Sequence, residues 1–311
     1  MSLAGFQQLL KTCKQIPKTR LSVAAAADPL ILKAVKEALR QDLIHPVLVG
    51  DGPKITKMVL DVGLDPARLE VIHEPDLTAA AHTAARLIGE GKADVLMKGK
   101  VNSSDFMRAM LSGEYGLRTG RIVSHLAAYE IPGFDRLLFL TDGGINIAPD
   151  LEQKKQILLN AIDFLHRLGI TEPKVAILSA NEVVSPKMPV TVEAQALVEM
   201  ARAGEFPGAV VDGPIPLDIA VSEKAARLKG LDSPVAGKAD LLLVPDIEAG
   251  NILGKSIIYF AHGVMAGVVV GARVPAVMNS RADTTQGKLV SLAMACLGGV
   301  AGAGDGSVHS T

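Results

Sequence analysis

The stretch Ala239–Lys288, ADLLLVPDIEAGNILGKSIIYFAHGVMAGVVVGARVPAVMNSRADTTQGK, alternates short apolar runs with glycine-bearing polar turns. Leu241–Val244 and Gly267–Val270 read as buried strands of a parallel sheet, with Asn251–Phe260 as the helix between them. Apolar Val274–Met278 then stops abruptly at Asn279-Ser280-Arg281-Ala282-Asp283. Ligands of open α/β sheets sit beyond the carboxyl ends of the strands. A serine, a guanidinium and a carboxylate arrive together at such an end.

The same alternation runs outward to the N-terminus. Leu21–Ala26 reads as a first strand, followed by a helix to Arg40 with Asp28 as N-cap and Pro29 at its first position. Strands follow at Pro46–Gly50, Glu70–His73 and Val95–Lys98, with a helix over Leu77–Ile88. Leu137–Leu140 is again a strand. Asp150 then caps a helix over Leu151–Leu168, with Gln153 in the capping-box position and Gly169 as terminator. Lys174–Leu178 and Gly208–Val211 continue the strands, Ser291–Gly298 closes with a helix, and the glycine-rich tail from Gly299 reads as loose. Alternating strands and helices predict α/β architecture with right-handed crossovers. At 311 residues the length prior is about two domains. The boundary falls near Phe139–Thr141, which gives a discontinuous first domain of residues 1–140 plus 284–311 and a second of residues 141–283.

Composition narrows the function classes. Hydrophobic residues are 49% of the chain and aromatics only 3%, so the cores must be built from aliphatic side chains, as suits helices packed on parallel strands. A formal net charge of −1 without a long basic run argues against nucleic acid or an anionic membrane as partner. No apolar run approaches the ~18 residues of a membrane span, and no signal-peptide core is present, so a cytoplasmic location is expected. Cys13 and Cys296 have no partner spacing for metal or redox work and read as two reduced thiols. The histidines are scattered, and no metal site is expected.

Four constellations carry chemistry. Lys98 and Lys100 flank a Gly99 turn, after which Asn102-Ser103-Ser104 opens a helix; lysines beside free backbone N–H groups make an anion site, and a capped surface helix fits as well. Thr141-Asp142-Gly143-Gly144-Ile145-Asn146 is a strand-end loop with paired glycines, which suit either close approach of a ligand or a structural turn. Asp142 there is a base, a ribose contact or a capping group. Glu248 and Asn251 follow another strand end, Glu248 as an acceptor for a ligand hydroxyl and Asn251 as a donor to a carbonyl or as a helix N-cap. Ser280-Arg281 is the sharpest: the planar guanidinium fork suits phosphate and carboxylate, and the hydroxyl suits an oxygen that becomes an oxyanion.

The runs MKGKVNSSDFMRA, EYGLRTGRIVSH, TDGGINIAPD, AILSANEVVSPKMP, DGPIPLDIAVS, SPVAGKADLLLVPDIEAGN and NSRADTTQGKL resemble the phosphate acetyl/butyryltransferase family from about Lys92 to Leu297. SRADTTQGKL, GLRTGRIVSH and PLDIAVS are more similar to its butyryl branch. The resemblance implies two three-layer α/β domains with parallel-type sheets and an interdomain cleft, like isocitrate and isopropylmalate dehydrogenases. It implies an acyltransferase that moves a short acyl group, butyryl first and acetyl as the alternative, reversibly between CoA and orthophosphate by direct attack in a ternary complex. CoA is then a substrate, no cofactor is permanently bound, and a homodimer or larger homo-oligomer is expected. By resemblance, Ser280 and Arg281 contact the acyl carbonyl and phosphate, and Arg136 contacts CoA or phosphate. The acetyl branch carries a catalytic aspartate at about the position of Gly287, so Asp283, the nearest carboxylate, is the candidate base. The acetyl branch also has an arginine near the position of Gly89, where Arg86 and Lys92 lie close by. Two rivals are a decarboxylating dehydrogenase on the same fold, which would need clustered acidic metal ligands, and a CoA or acyl-phosphate binding protein with little turnover.

Overall fold

A computed structural model describes residues 3–280 and 283–300, the side chains of Arg68 and Val300 excepted. The strands are β1 (Thr19–Ala24), β2 (Ile44–Gly50), β3 (Glu70–His73), β4 (Val95–Lys98), β5 (Ser124–Glu130), β6 (Leu138–Thr141), β7 (Lys174–Leu178), β8 (Val210–Ile215), β9 (Leu241–Leu243), β10 (Val264–Val270) and β11 (Ala276–Val277). The helices are α1 (Phe6–Cys13), α2 (Pro29–Arg40), α3 (Gly52–Asp61), α4 (Leu77–Gly89), α5 (Ser103–Met110), α6 (Leu151–Arg167), α7 (Pro189–Arg202), α8 (Leu217–Val221), α9 (Glu223–Lys229), α10 (Ile247–Tyr259) and α11 (Thr285–Val300).

The chain forms two compact units. One comprises residues 7–121 and 266–300, the other residues 3–6 and 122–265. The sequence reading set the division at 140/141 and 283/284. The compact units divide earlier on both passes: β5 pairs antiparallel with β6 and keeps residues 122–140 with the second unit, while β11 pairs with β4 and β10, which keeps residues 266–283 with the first.

In the first unit the strand order is β3-β2-β1-β4-β11-β10. β1, β2, β3, β4 and β11 are mutually parallel, and β10 runs antiparallel to β11. The expectation that Gly267–Val270 is a parallel strand is thus corrected: Gly271–Pro275 is too short for a crossover helix and returns the chain antiparallel. β1 is buried at every position but one, the near-continuous apolar run of a sheet covered on both faces. α2 packs with α11, and α4 with α5, over this sheet.

The second unit has the order β5-β6-β9-β7-β8, parallel apart from the β5–β6 pair. Its core is aliphatic, with Leu138, Leu140, Leu242, Ile215, Ile219 and Ile257 in one cluster.

Local chemistry explains why the elements stop where they do. Asp28 accepts from the Leu30 and Ile31 amides at 2.8 and 3.2 Å, with Pro29 preset for the first helical position. Asp150 and Gln153 form a reciprocal capping box on α6, at 2.8 and 2.9 Å. α10 begins four residues before the expected Asn251, because Asp246 caps it by accepting from the Ala249 amide at 2.8 Å. α11 runs to Val300, so Gly299, expected in a loose tail, is helical. No helix among the described residues is long and apolar enough to cross a membrane.

Candidate active site

In the first unit the carboxyl ends of three neighbouring strands lie side by side. β1 pairs with β4 (Ala24 opposite Lys98) and β4 with β11 (Met97 opposite Val277), all parallel. The residues leaving these ends are therefore adjacent: Asp28 after β1, Lys98–Ser103 after β4, and Ser280 and Asp283 after β11. Beyond the ladder, the Gly99 and Lys100 amides donate to the Ala24 and Ala25 carbonyls, both at 2.8 Å. Ala25 holds a left-handed backbone at φ 51 and is 1% exposed. Strained, buried backbone of this kind collects at functional sites.

The side chains on this edge differ in how they are bonded and exposed. Asn102 is spent as the N-cap of α5, its Oδ1 accepting from the Asp105 amide and the Ser104 hydroxyl at 2.8 Å each. Lys98 folds onto its own loop, donating to the Val101 carbonyl at 3.0 Å. Lys100 and Ser103 are exposed at the start of α5. Ser280 is exposed, and its amide donates to Asp283 Oδ2 at 2.8 Å. Asp283 Oδ2 also accepts from Asn279 Nδ2 at 3.3 Å. Arg281 lies outside the described residues.

Beneath this segment is a group that the motifs did not single out. Lys288, 2% exposed, donates from Nζ to the Ser280 carbonyl at 3.0 Å and the Asp283 carbonyl at 2.6 Å. Burial pushes its pKa down, and the nearby Asp283 and Asp28 carboxylates push it back up. The sequence does hold a signal: Lys288 is the one charged residue of an otherwise apolar α11. Gly287, at the position where the acetyl branch carries its aspartate, is built into α11, its carbonyl accepting from Ser291 Oγ at 2.9 Å.

In the second unit, Asp142 is an internal hub. It is 2% exposed and accepts five hydrogen bonds: Gly144 and Ile145 amides on Oδ1 at 2.8 and 3.0 Å, and the His125 amide, the Asn146 amide and Asn146 Nδ2 on Oδ2 at 3.1, 3.3 and 2.7 Å. Asn146 Nδ2 also donates to the Val123 carbonyl at 2.9 Å. Of the readings left open for Asp142, this geometry is that of a loop-building acceptor. The paired glycines have a packing cause too. A Cβ on Gly143 would stand 2.9 Å from the Gly250 carbonyl carbon, and one on Gly250 would stand 2.7 Å from the Gly143 Cα. The loop lies backbone to backbone on the first turns of α10. Glu248 and Asn251, three residues apart, sit exposed on that helix. Asn251 is therefore not an N-cap; Asp246 holds that position.

Within the second unit, Arg136 lies apart from Asp142 and its loop. It precedes β6, at the amino end of strands whose carboxyl ends carry the loop at 142–146. Its guanidinium donates to the Gly237 and Ala239 carbonyls at 3.0 and 3.3 Å, pairs with Asp135 at 2.8 Å, and lies 4.6 Å from the Phe134 ring centroid. It borders an open cavity of about 900 Å³ that also takes in Lys174, Lys238, Glu172 and Glu223. Arg86 and Lys92, the cations near Gly89, both pair with Glu90, at 3.8 and 2.8 Å.

Cys13 and Cys296, unrelated by spacing, meet in space. Both are buried, on α1 and α11, and a hydrogen bond between them, reinforced by burial, pushes the Cys13 thiol pKa up. A raised thiol pKa disfavours the thiolate that a nucleophile needs. Among the described residues no group of three or more His, Cys, Asp or Glu is arranged to hold a metal ion.

Comparison with known proteins adds identity to this geometry. The family model for phosphate acetyl/butaryl transferase matches residues 73–296. The chain is 43% identical over 295 residues to the phosphate butyryltransferase of Clostridium acetobutylicum, covering 95% of this chain and 98% of that one. It is 45% identical over 275 residues to the phosphate acetyltransferase of Rhizobium meliloti, covering 88% and 87%. The crystal structure of a branched-chain phosphotransacylase from Enterococcus faecalis V583 superposes with a TM-score of 0.81 at 35% identity, covering 90% of this chain and 98% of that one.

Proposed function

The chain belongs to the phosphate acetyl/butaryl transferase family, and on that premise we propose that it moves a short acyl group reversibly between CoA and orthophosphate. Butyryl is the favoured acyl group. The observation that carries the reading is the convergence of the β1, β4 and β11 carboxyl ends, which brings the segment leading into α5 beside Ser280 and Asp283. The kinship with isocitrate and isopropylmalate dehydrogenases that the resemblance implies is supported by two mostly parallel α/β units, one of them discontinuous.

Toward the thioester, the CoA thiol loses its proton, its sulfur forms a bond to the acyl carbonyl carbon, and the carbon–oxygen bond to phosphate breaks, releasing orthophosphate. A free thiol has a pKa near ~8.5, so a nearby base raises the thiolate fraction; Asp283 is that base. The Ser280 hydroxyl donates to the carbonyl oxygen as it gains charge, a contribution of about 10²–10³ in rate for one such donor. Arg281 holds the phosphate, an assignment that rests on the resemblance. Lys100 and the Ser103 hydroxyl, exposed at the start of α5, supply further anion contacts. Glu248 and Asn251 offer a second polar surface for the CoA moiety. Asp142, Asn146 and Asn102 act by shaping loops, and Arg136 by holding the chain at 237–239. Attack is direct, without an acyl-enzyme; the burial of both Cys13 and Cys296 supports this. The thiol, carbonyl and phosphate groups suffice, so no permanently bound cofactor takes part. The water-soluble substrates suit the cytoplasm, and a homo-oligomer is inferred from the family.

The test is thiol release from acetyl-, propionyl- and butyryl-CoA, with and without orthophosphate, followed with a thiol-reactive dye. Phosphate-dependent release, fastest with butyryl-CoA, is expected. An acetyl-CoA optimum keeps the reaction and moves the branch; no phosphate dependence with any of the three refutes the reading.

A further inference from the structure

Lysine is among the residues least often fully buried, and a buried ammonium is costly unless it is hydrogen-bonded. Lys288 meets that condition through two main-chain carbonyls, of Ser280 and Asp283. Both residues lend a side chain to the proposed reaction, Ser280 to the carbonyl oxygen and Asp283 to the thiol proton. The same segment is tied a second time. Asn279 Nδ2 donates to Ser291 Oγ at 3.0 Å, and that oxygen also accepts from the Gly267 amide at 2.9 Å. Two residues of α11, one turn apart, therefore hold the chain leaving β11. The Asp283 carboxylate, turned back onto the Ser280 amide, closes the arrangement. A side chain that merely filled space here would be apolar, because replacing a buried charge by a packed hydrophobe is often neutral or stabilising.

We propose that Lys288 is a positioning residue for acyl transfer: its ammonium, bound to the Ser280 and Asp283 carbonyls, fixes the Ser280 hydroxyl and the Asp283 carboxylate in their working geometry at the end of β11. The inference rests on the acyltransferase reading above. Lys288 touches no substrate. Its effect belongs in turnover more than in substrate binding, because misplacing a reacting group by ~1 Å costs about 10²-fold in rate.

The experiment compares wild type, Lys288→Met, Lys288→Arg and Lys288→Ala in the butyryl-CoA assay, with unfolding midpoints measured alongside. Expected for Lys288→Met is a kcat lower by about 10²-fold with KM for butyryl-CoA near the wild-type value. Lys288→Ala is expected to regain activity with added n-propylamine and not with n-propanol, because only the amine restores the donors. Wild-type kcat in Lys288→Met, or a loss equal to its unfolded fraction with no amine response in Lys288→Ala, overturns the inference. Should Lys288→Met fail to fold, Lys288→Arg decides, since it keeps charge and donors but changes their reach: lowered kcat at constant KM supports positioning, and wild-type kcat overturns it. A wild type without phosphate-dependent release overturns the functional reading and this inference with it; an active wild type with unaffected variants overturns this inference alone.

Discussion

Replacing Gly99 with alanine tests the arrangement of strand ends on which the candidate site rests. A Cβ at residue 99 would stand 2.6 Å from the Ala24 carbonyl oxygen and closer still to the Ala25 oxygen. Ordinary contact begins at 3.4 Å, so relief of the Ala24 contact alone takes 0.8 Å and relief of the nearer Ala25 contact takes more. Neither obstacle is a movable side chain; both are backbone atoms at the buried end of a central strand. Separation stretches the bonds from the Gly99 and Lys100 amides to those same carbonyls. Overpacking costs about 1–3 kcal/mol and each weakened backbone bond about 1 kcal/mol. With two such bonds, the expected destabilisation is roughly 3–5 kcal/mol. Urea unfolding followed by circular dichroism measures it. Thiol release, assayed at a urea-free temperature where the variant is folded, measures the consequence for Lys98–Ser103, with a fall of about 10²-fold expected for a shift near 1 Å. A Gly99→Ala protein within 0.5 kcal/mol of wild type, turning over at the wild-type rate, would show that these ends are not held together as described.

Two further outcomes follow from the hydrogen-bonding pattern. Asp142→Asn places an amide donor against the amide donors that Asp142 now accepts; it should lower stability by about 2–4 kcal/mol, and an unchanged unfolding midpoint would contradict the hub role. Asp94 binds Arg20 through Nε at 2.9 Å and Nη2 at 2.5 Å, and also accepts from its amide at 3.0 Å. Partial burial pushes the Asp94 carboxyl up, but the hydrogen bonds and charge of Arg20 outweigh this and hold it below the usual range. A depressed carboxyl pKa contributes stability that is present above the unfolded value near ~3.9 and is lost as pH falls through the folded value. Asp94→Asn should therefore cost about 1 kcal/mol at pH 7, a modest figure because Arg20 is half exposed. The difference from wild type should shrink below about pH 4; a gap that widens on acidification would refute the assignment.

The parts of the fold visible in the sequence are those governed by local chemistry. β3, β4 and β7 fall on the expected residues, and so do the caps Asp28 and Asp150, because a run of apolar residues bounded by an acceptor side chain needs no distant partner. The direction of β10 was not visible. It depends on the length of the Gly271–Pro275 return, and a buried apolar strand reads the same in either direction. The meeting of Cys13 with Cys296 depends on two helices at opposite ends of the chain, which spacing cannot report. Asn251 was left open between a ligand donor and a cap because the true cap, Asp246, lies within what reads as the strand-end turn.

The site shows a sharper limit. The polar strand ends were legible, but how their side chains are bonded was not, because most of those bonds are decided by neighbours remote in sequence. Asp142 takes amides from both sides of its own strand, Asn102 closes its own helix, and Arg136 binds the chain a hundred residues on. A polar group whose bonds are already made must break them to hold a ligand, and a buried one then leaves its partners unsatisfied at about 1–3 kcal/mol each. Direct contact with CoA or phosphate is therefore better suited to exposed side chains, Lys100 and Ser103 in the first unit and Glu248 and Asn251 in the second. The saturated set fixes where those groups stand. Lys288 is the extreme of the second kind: at 2% exposed it is as buried as Asp142, and its two bonds go to the main chain of Ser280 and Asp283.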